Sequence, residues 1–170
     1  KNIMIGKNIT LDDMFRDDFD AVFIGTGVWR PKKLGIKGES LGNVHFAIDY
    51  LKTPKAYDLG KKVIVVGAGN VAMDVARTAI RNGAHEVSIM YRKGEEDMPA
   101  ERIEIEHAKI DGVKFNLFKS PLEFSETGIK YENTKEDDNS IAFEEADSIL
   151  IAISQTARDL IVKNNTGLSL

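Results

Sequence analysis

The 170-residue chain contains no cysteine, and this absence removes a whole group of chemistries from it. Without thiols the sequence has no disulfides, no thiolate metal ligands, no iron–sulfur ligation and no dithiol redox pair. Histidine is also scarce, and the three histidines have no spacing that is typical of a metal site. We therefore expect neither a bound metal ion nor a catalytic thiol in this sequence.

Long apolar runs and an excess of positive charge are absent as well. The longest apolar run has about five residues, whereas a membrane-spanning helix needs roughly 20. The N-terminal segment lacks the apolar core of a signal peptide. The net charge is −4. These features favour a cytoplasmic protein and argue against a membrane or a nucleic acid as its partner.

Strand and helix patterns alternate through the middle of the sequence. Val63–Val66 is a β-branched run that is typical of a parallel strand buried on both faces. The patterns that follow it predict a helix, a strand, a second helix and a third strand, at Asn70–Arg81, Val87–Tyr91, Glu101–Ile110 and Val113–Phe118. This alternation predicts an α/β protein with a Rossmann-like parallel sheet.

The pattern changes after the third strand. Short alternating runs at Leu122–Ser125, Ile129–Glu132 and Ile141–Phe143 are separated by turn residues, which predicts a β-meander instead of another strand–helix unit. Asp147–Ser154 then returns to an apolar buried strand. Taken together, the sequence predicts a Rossmann-like, three-layer arrangement of a parallel sheet with a β-meander.

Three local patterns complete the structural prediction. Thr10 is placed to cap a short helix whose first turn is acidic. The segment Val44–Lys52 has helical spacing and is predicted as a short helix. In the helix at Glu101–Ile110, the predicted buried positions are Ile103, Ile105 and Ala108.

A glycine turn lies between the first strand and the first helix of the alternating region. Its spacing, Gly67-x-Gly69-x-x-Ala72, in this context is the fingerprint of a dinucleotide site. The first glycine permits the sharp turn, the second lets a pyrophosphate approach the backbone, and the alanine keeps the helix close to the sheet. The alternative is a turn that is rich in glycine for packing alone. We predict cofactor contacts at Gly67, Ala68, Gly69, Asn70, Val71 and Ala72.

Two cations stand where an NAD-binding unit places an acid. That acid, about twenty residues after the glycines, binds the ribose 2′-hydroxyl. Here the position holds Arg92 and Lys93, and the first acid is Glu95. A guanidinium can donate two hydrogen bonds to a 2′-phosphate, so the sequence favours NADP(H) over NAD(H). Arg102 is a candidate third cation and equally a candidate helix-surface residue. The alternative is a solvated surface pair that interacts with Glu95 and Glu96.

The stretch "GKKVIVVGAGNVAMDVARTAIRNGA", followed by "YRKGEEDMPA", resembles the NADPH-binding domain of the glutamate synthase small (β) subunit. It is equally similar to the flavoprotein subunit of NADH-dependent ferredoxin:NADP oxidoreductase and to part of dihydropyrimidine dehydrogenase. "FDAVFIGTGVWRPKKLGIKGE" and "EEADSILIAISQTA" resemble the two segments that connect this domain to an FAD domain. In the second of them, Ser154 replaces a glycine that is frequent in the family.

This resemblance implies a flavoprotein oxidoreductase in which NADPH passes a hydride to FAD for onward electron transfer, as in glutamate biosynthesis. The family's cysteine-rich iron–sulfur region, its FAD glycine fingerprint and its C-terminal Gly-Asp flavin motif are absent from this sequence. We therefore expect an excised NADPH module that does not retain FAD and is inactive alone. Its expected parts are a stub of the FAD domain with a linker (1–58), the NADP(H)-binding domain (59–154) and a return stub (155–170).

The same resemblance implies further contacts and partners. The pairs Thr26 and Gly27, and Ser154 and Gln155, are expected near a cofactor, with plain turn geometry as the alternative. The expected partners are NADPH, the missing FAD and iron–sulfur regions, and a glutamate synthase large subunit. Apolar surface on the stubs also predicts self-association, for example as a homodimer.

Other functions remain open at this point. One alternative is a stand-alone NADP(H) sensor without redox chemistry, and another is a subunit of a ferredoxin:NADP oxidoreductase. A simple dehydrogenase is disfavoured because the meander offers no proton-transfer residue, and a dithiol reductase is disfavoured because cysteine is absent. The sequence nominates no catalytic acid, base or nucleophile. It gives Asp74, Glu104 and His107 no firm role.

Overall fold

The computed structural model describes residues 5, 8–25, 27–135 and 138–156. The chain forms two compact units, one made of Lys1–Arg30 with Gln155–Leu170 and the other of Pro31–Ser154. The larger unit thus begins well before residue 59. The predicted division between residues 58 and 59 separates an FAD-domain segment from the NADP(H)-binding domain. That division by cofactor stays a prediction.

The helices and strands have the following bounds. The helices are Leu11–Arg16 (α1), Ala47–Lys52 (α2), Asn70–Arg81 (α3) and Arg102–Ile110 (α4), and single 3-10 turns lie at Pro54–Ala56 and Glu95–Asp97. The strands are Arg30–Pro31 (β1), Val44–Phe46 (β2), Lys62–Val66 (β3), Glu86–Tyr91 (β4), Lys114–Leu117 (β5), Lys119–Ser125 (β6), Gly128–Asn133 (β7), Ile141–Glu145 (β8), Ser148–Ile151 (β9) and Gln155–Thr156 (β10).

In the smaller unit, α1 begins with the cap that the sequence predicts. The hydroxyl of Thr10 accepts a hydrogen bond from the Asp13 amide at 3.1 Å, and the Asp13 carboxylate accepts one from the Thr10 amide at 2.9 Å. This reciprocal pair satisfies two amides that a helix start leaves without partners. The hydrogen bonds from Thr10 also hold the pKa of Asp13 below its usual value.

A five-stranded parallel sheet forms the centre of the larger unit, in the order β2-β9-β3-β4-β5. From β3 the chain moves outward through α3, β4 and α4 to β5. It then returns to β9, on the other side of β3. The direction of winding therefore reverses at β3, and ligands of such sheets bind at this switch point, beyond the carboxyl ends of the strands.

Each face of the sheet is covered by a different layer. Val63 and Val65 of β3 belong to a core shared with α2, α3 and α4. Ile64 and Val66 belong to a second core, shared with the meander strands. Successive side chains of a strand point to opposite faces, so a continuous apolar run is what a strand covered on both sides requires.

The β-meander is present as predicted, with β6, β7 and β8 pairing antiparallel in that order. Glu144 of β8 ties this layer to the parallel sheet. Its carboxylate accepts hydrogen bonds from the Asn116 amide at 2.7 Å and from the Lys119 ammonium at 3.2 Å. The α/β prediction of a three-layer, Rossmann-like unit with a meander is confirmed.

Two local predictions were wrong. The segment Val44–Lys52 is not helical throughout, because Val44–Phe46 pairs with β9 as the outer strand of the sheet and only Ala47–Lys52 is helix. A pairing partner about a hundred positions away outweighed the local helical spacing. Ile103 was predicted to be buried but is 58% exposed, whereas Ile105 and Ala108 are buried as expected.

Candidate functional site

The glycine turn lies directly after β3, at the switch point of the sheet. The Gly67 amide donates to the carbonyl oxygen of Met90 in β4 at 3.0 Å. Gly67 has a φ of +125°, and a Cβ added there would lie 2.7 Å from the carbonyl carbon of Ala152, just after β9. The close approach of these backbones requires a glycine at this position, whatever binds nearby.

Gly69 has a different environment from Gly67. Its φ is −87°, which any residue adopts, and the nearest atom to an added Cβ would be the Cγ of Pro99 at 4.0 Å. The packing of the chain therefore does not require glycine here, and the space beside the backbone is open. Within the part of the chain that the structure describes, the amides of Gly69, Asn70 and Val71 have no hydrogen-bond partner. An open site lined by helix N-terminal amides fits an anionic group such as a pyrophosphate.

The two alanines of the turn pack the helix onto the sheet. Ala72 is fully buried between α3 and the sheet, in the place that the fingerprint assigns to a small residue. Ala68 is also buried, and its carbonyl oxygen accepts a hydrogen bond from the Ala100 amide at 3.1 Å. The segment before α4 therefore lies against the turn.

The predicted cations differ in their surroundings. Arg92 and Lys93 directly follow β4, whose Met90 is hydrogen-bonded to the glycine turn, and Arg102 begins α4. The Lys93 ammonium lies 3.4 Å from a carboxylate oxygen of Asp97. Neither Arg92 nor Arg102 forms an ion pair with any described residue. Lys93 thus has an acidic partner, as the surface-pair alternative expects, but that partner is Asp97 and not Glu95 or Glu96. Arg92 is exposed, and its role stays a prediction.

Two residues next to meander strands, Phe118 before β6 and Thr134 after β7, hold the backbone that carries the first two cations. The Thr134 hydroxyl donates to the carbonyl oxygen of Arg92 at 2.5 Å, and the Phe118 amide donates to that of Lys93 at 3.3 Å. Sequence reasoning missed both contacts. Nothing near Thr134 indicates a partner 42 positions away.

Comparison with known proteins gives the family. The family described as pyridine nucleotide-disulphide oxidoreductase matches residues 2–170 of the sequence. The chain belongs to this family.

The curated relatives include an oxidoreductase subunit and a glutamate synthase small chain. Over 121 residues the chain is 42% identical to the NADPH-Fe(3+) oxidoreductase subunit beta of Geobacter sulfurreducens, a match that covers 66% of the chain and 18% of that protein. It is 35% identical over 135 residues to the glutamate synthase [NADPH] small chain of Escherichia coli, a match that covers 71% of this chain and 28% of that protein. The chain thus spans less than a third of the length of these curated relatives.

Solved structures that resemble the chain show the same fold. Thioredoxin reductase from T. acidophilum matches with a TM-score of 0.65 and 20% identity, over 78% of this chain and 44% of that one. FprA, an oxidoreductase from Mycobacterium tuberculosis, matches with a TM-score of 0.66 and 17% identity, over 91% of this chain and 54% of that one. At these identities the likeness supports the Rossmann-type fold and nothing beyond it.

Glu104, which the sequence left without a role, lies between the helices α3 and α4. Arg77 donates to a carboxylate oxygen of Glu104 at 3.0 Å and to one of Asp111 at 2.8 Å. The hydrogen bond from Arg77 is the main reason why the pKa of Asp111 lies below its usual value. Glu104 therefore has a structural contact that joins α4 to α3. His107 is half-buried in α4.

Asp74 sits on α3 in an unfavourable electrostatic position. Burial raises its pKa, the Glu104 carboxylate raises it further, and Arg77 offsets part of the increase. A carboxyl group whose pKa is raised on folding destabilises the protein above that pKa, and the cost disappears as the pH falls below the unfolded value.

We expect Asp74→Asn to raise the melting temperature at neutral pH, because the variant removes this charge. The gain should shrink as the pH falls towards the usual pKa of aspartate, about 3.9. Thermal melts of both proteins at a series of pH values measure it. A gain that is constant with pH would mean that the charge of Asp74 is not the cause.

The remaining predicted contacts belong to different parts of the structure. Gly27 lies in the smaller unit with a φ of +68°, and an added Cβ would lie 2.9 Å from the Nε1 of Trp29. The carbonyl oxygen of Ser154 accepts a hydrogen bond from the Lys32 amide at 3.1 Å, and Gln155 begins β10. Thr26 lies outside the described residues.

Among the described residues there is no group of three or more side chains that could hold a metal ion. In the same residues, no helix is long and apolar enough to cross a membrane.

Proposed function

We propose that the chain is the NADPH-binding module of a flavin-dependent oxidoreductase related to the glutamate synthase small chain. The observation that carries the proposal is the open, amide-lined glycine turn at the switch point, followed after β4 by an arginine that has no acidic partner among the described residues. When bound, NADPH supplies a hydride for transfer to FAD and onward electron transfer. The part of this chain is to bind and orient the nucleotide.

Each group at the site has a distinct task in this proposal. The amides of Gly69, Asn70 and Val71 donate to the pyrophosphate, where the dipole of α3 also favours negative charge. The guanidinium groups of Arg92 and Arg102 bind the 2′-phosphate, which carries more charge than a hydroxyl and accepts two parallel hydrogen bonds. Lys93 has a smaller share because Asp97 competes for it.

We propose that FAD is held by parts of the parent protein outside this chain. Gly27 is explained by its left-handed backbone and by the indole of Trp29, and an added Cβ there would fill no open cradle. Gly27 therefore gives no support to a flavin contact in this chain. The expected segments 1–58 and 155–170 keep their proposed role as connections to that FAD domain.

The partners are proposed from the relatives. Those relatives are named as a subunit beta or as a small chain, including the NADP(+)-dependent formate dehydrogenase subunit beta of Moorella thermoacetica, which is 41% identical over 127 residues. We propose that the parent protein likewise works with a larger subunit, in the cytoplasm. A glutamate synthase large subunit, and hence glutamate biosynthesis, is one candidate.

Arg92→Ala is expected to remove most of the preference for NADPH. Isothermal titration calorimetry of this chain should show NADPH binding at least about tenfold tighter than NADH, since hydrogen bonds to charged groups contribute roughly 1.5–3 kcal/mol. In the variant we expect NADPH affinity to fall by a similar factor, with NADH affinity nearly unchanged.

Arg81→Ala is the matched control for this experiment. It also removes one arginine charge, but at the C-terminal end of α3. That end lies about 17 Å along the helix axis from the N-terminal end, where the glycine turn is. The control should keep the preference for NADPH. Equal affinities of the unmodified chain for both nucleotides would contradict the assignment of the cations, and binding of neither would contradict the proposed module.

A further inference from the structure

The segment that leads into α4 is attached to the glycine turn by two hydrogen bonds. The Ala100 amide donates to the carbonyl oxygen of Ala68 at 3.1 Å. The Glu101 amide donates to the side-chain oxygen of Asn70 at 2.8 Å. Met98 and Ala100 are buried, so the segment is also held by packing. The start of α4 is therefore placed with reference to the start of α3.

No side chain of the segment itself caps α4. Glu101 occupies the N-cap position, and its own side chain makes no capping hydrogen bond. The amide of Glu101 has its partner 31 positions earlier in the chain, on the first residue of α3. The orientation of the first turn of α4 thus depends on a contact between two helices.

Asn70 faces both parts of the proposed nucleotide site. Its backbone amide has no partner among the described residues and lies in the first turn of α3, where the pyrophosphate is proposed to bind. Its side-chain oxygen holds the residue directly before Arg102. That oxygen is an acceptor already bonded to an amide, and phosphate oxygens are acceptors as well, so it does not bind the phosphates itself.

We infer that Asn70 is a positioning residue for the 2′-phosphate, acting through Glu101 on Arg102. This inference rests on the proposed function and adds a determinant of its nucleotide specificity. The side-chain oxygen of Asn70 fixes the distance between the amides that receive the pyrophosphate and the guanidinium that receives the 2′-phosphate. NADH lacks the second group, so its binding does not depend on this distance.

Asn70→Ala tests the inference in calorimetric titrations with NADPH and NADH. The side chain is exposed and the variant retains every backbone amide, so we expect the fold to persist, which a circular dichroism melt checks. NADPH affinity should fall roughly fivefold, a typical size for one coupled contact, and NADH affinity should change by less than about twofold. Asn70→Gln, which displaces the acceptor by one carbon, gives a second variant with the same expected direction if alanine lowers stability.

The double variant Asn70→Ala with Arg102→Ala distinguishes positioning of Arg102 from general support of the glycine turn. If Asn70 acts through Arg102, Asn70→Ala should have no further effect on the NADPH to NADH affinity ratio once Arg102 is alanine. Asn82→Ala is the matched control, because it changes an asparagine directly after the other end of α3, whose side chain donates to the Thr78 carbonyl oxygen at 2.8 Å. It should leave both affinities unchanged.

Three outcomes would overturn the inference. Additive effects in the double variant would show that Asn70 acts independently of Arg102. An equal loss of NADPH and NADH affinity would show general support of the turn. An affinity ratio that does not respond to Arg102→Ala would show that Arg102 does not read the 2′-phosphate. In each case the response to Arg92→Ala still reports on the proposed function, so the two failures are distinguishable.

Discussion

Gly67→Ala is expected to lower the free energy of unfolding by about 3 kcal/mol or more, because it combines backbone strain with a severe clash. The φ of +125° is one that side chains rarely adopt. The new methyl carbon would also lie 2.7 Å from the carbonyl carbon of Ala152. That neighbour is backbone next to a central strand, so it cannot move aside without disturbing the pairing of β9 with β3.

Urea denaturation followed by circular dichroism measures the effect, and Gly83→Ala separates its two causes. Gly83 has a similarly left-handed φ of +105°, but an added Cβ there would meet no atom within 4 Å. The control should therefore lose only the cost of conformational strain, about 1 kcal/mol. If Gly67→Ala lowers the free energy of unfolding no more than Gly83→Ala does, the result would contradict the close approach of the turn to the backbone after β9.

Gly69→Ala is expected to leave the fold intact and to weaken binding of both nucleotides. Its φ is ordinary and its nearest new neighbour would be 4.0 Å away, so the stability should change by less than about 1 kcal/mol. The methyl group would fill the space through which a pyrophosphate approaches the amides. We expect NADPH and NADH affinities to fall together, by about tenfold or more.

Titration calorimetry with both nucleotides measures this loss, and the ratio of the two affinities distinguishes the pyrophosphate site from the 2′-phosphate site. Gly69→Ala should preserve the ratio, because it affects the shared pyrophosphate, whereas Arg92→Ala should abolish it. Gly42→Ala is the control, since an added Cβ there would meet no atom within 4 Å and its backbone is not left-handed. Unchanged affinities in Gly69→Ala would mean that the open space is not the phosphate site.

The fold was largely predictable because its signals are local. The run Val63–Val66 indicated a strand covered on both faces, and the structure places alternate residues of it in two separate cores. The change of period after residue 118 indicated the meander. The helix prediction for Val44–Lys52 was wrong at its first three residues, because a short helical pattern contains no information about β9, with which those residues pair. The predicted burial of Ile103 was wrong because helical spacing does not show how far the neighbouring layer extends over the helix.

The sequence by itself determined the glycine turn, the strand and helix around it and the basic residues after β4, because spacing and residue type control local backbone conformation. Only the tertiary structure decided which glycine serves which purpose: Gly67 is required by the backbone beside it, whereas Gly69 faces open space. It also decided that Asp97 pairs with Lys93, and that Asn70 holds the start of α4. These distinctions depend on contacts between segments whose relative positions are set by the packing of the whole unit, and no local pattern encodes them.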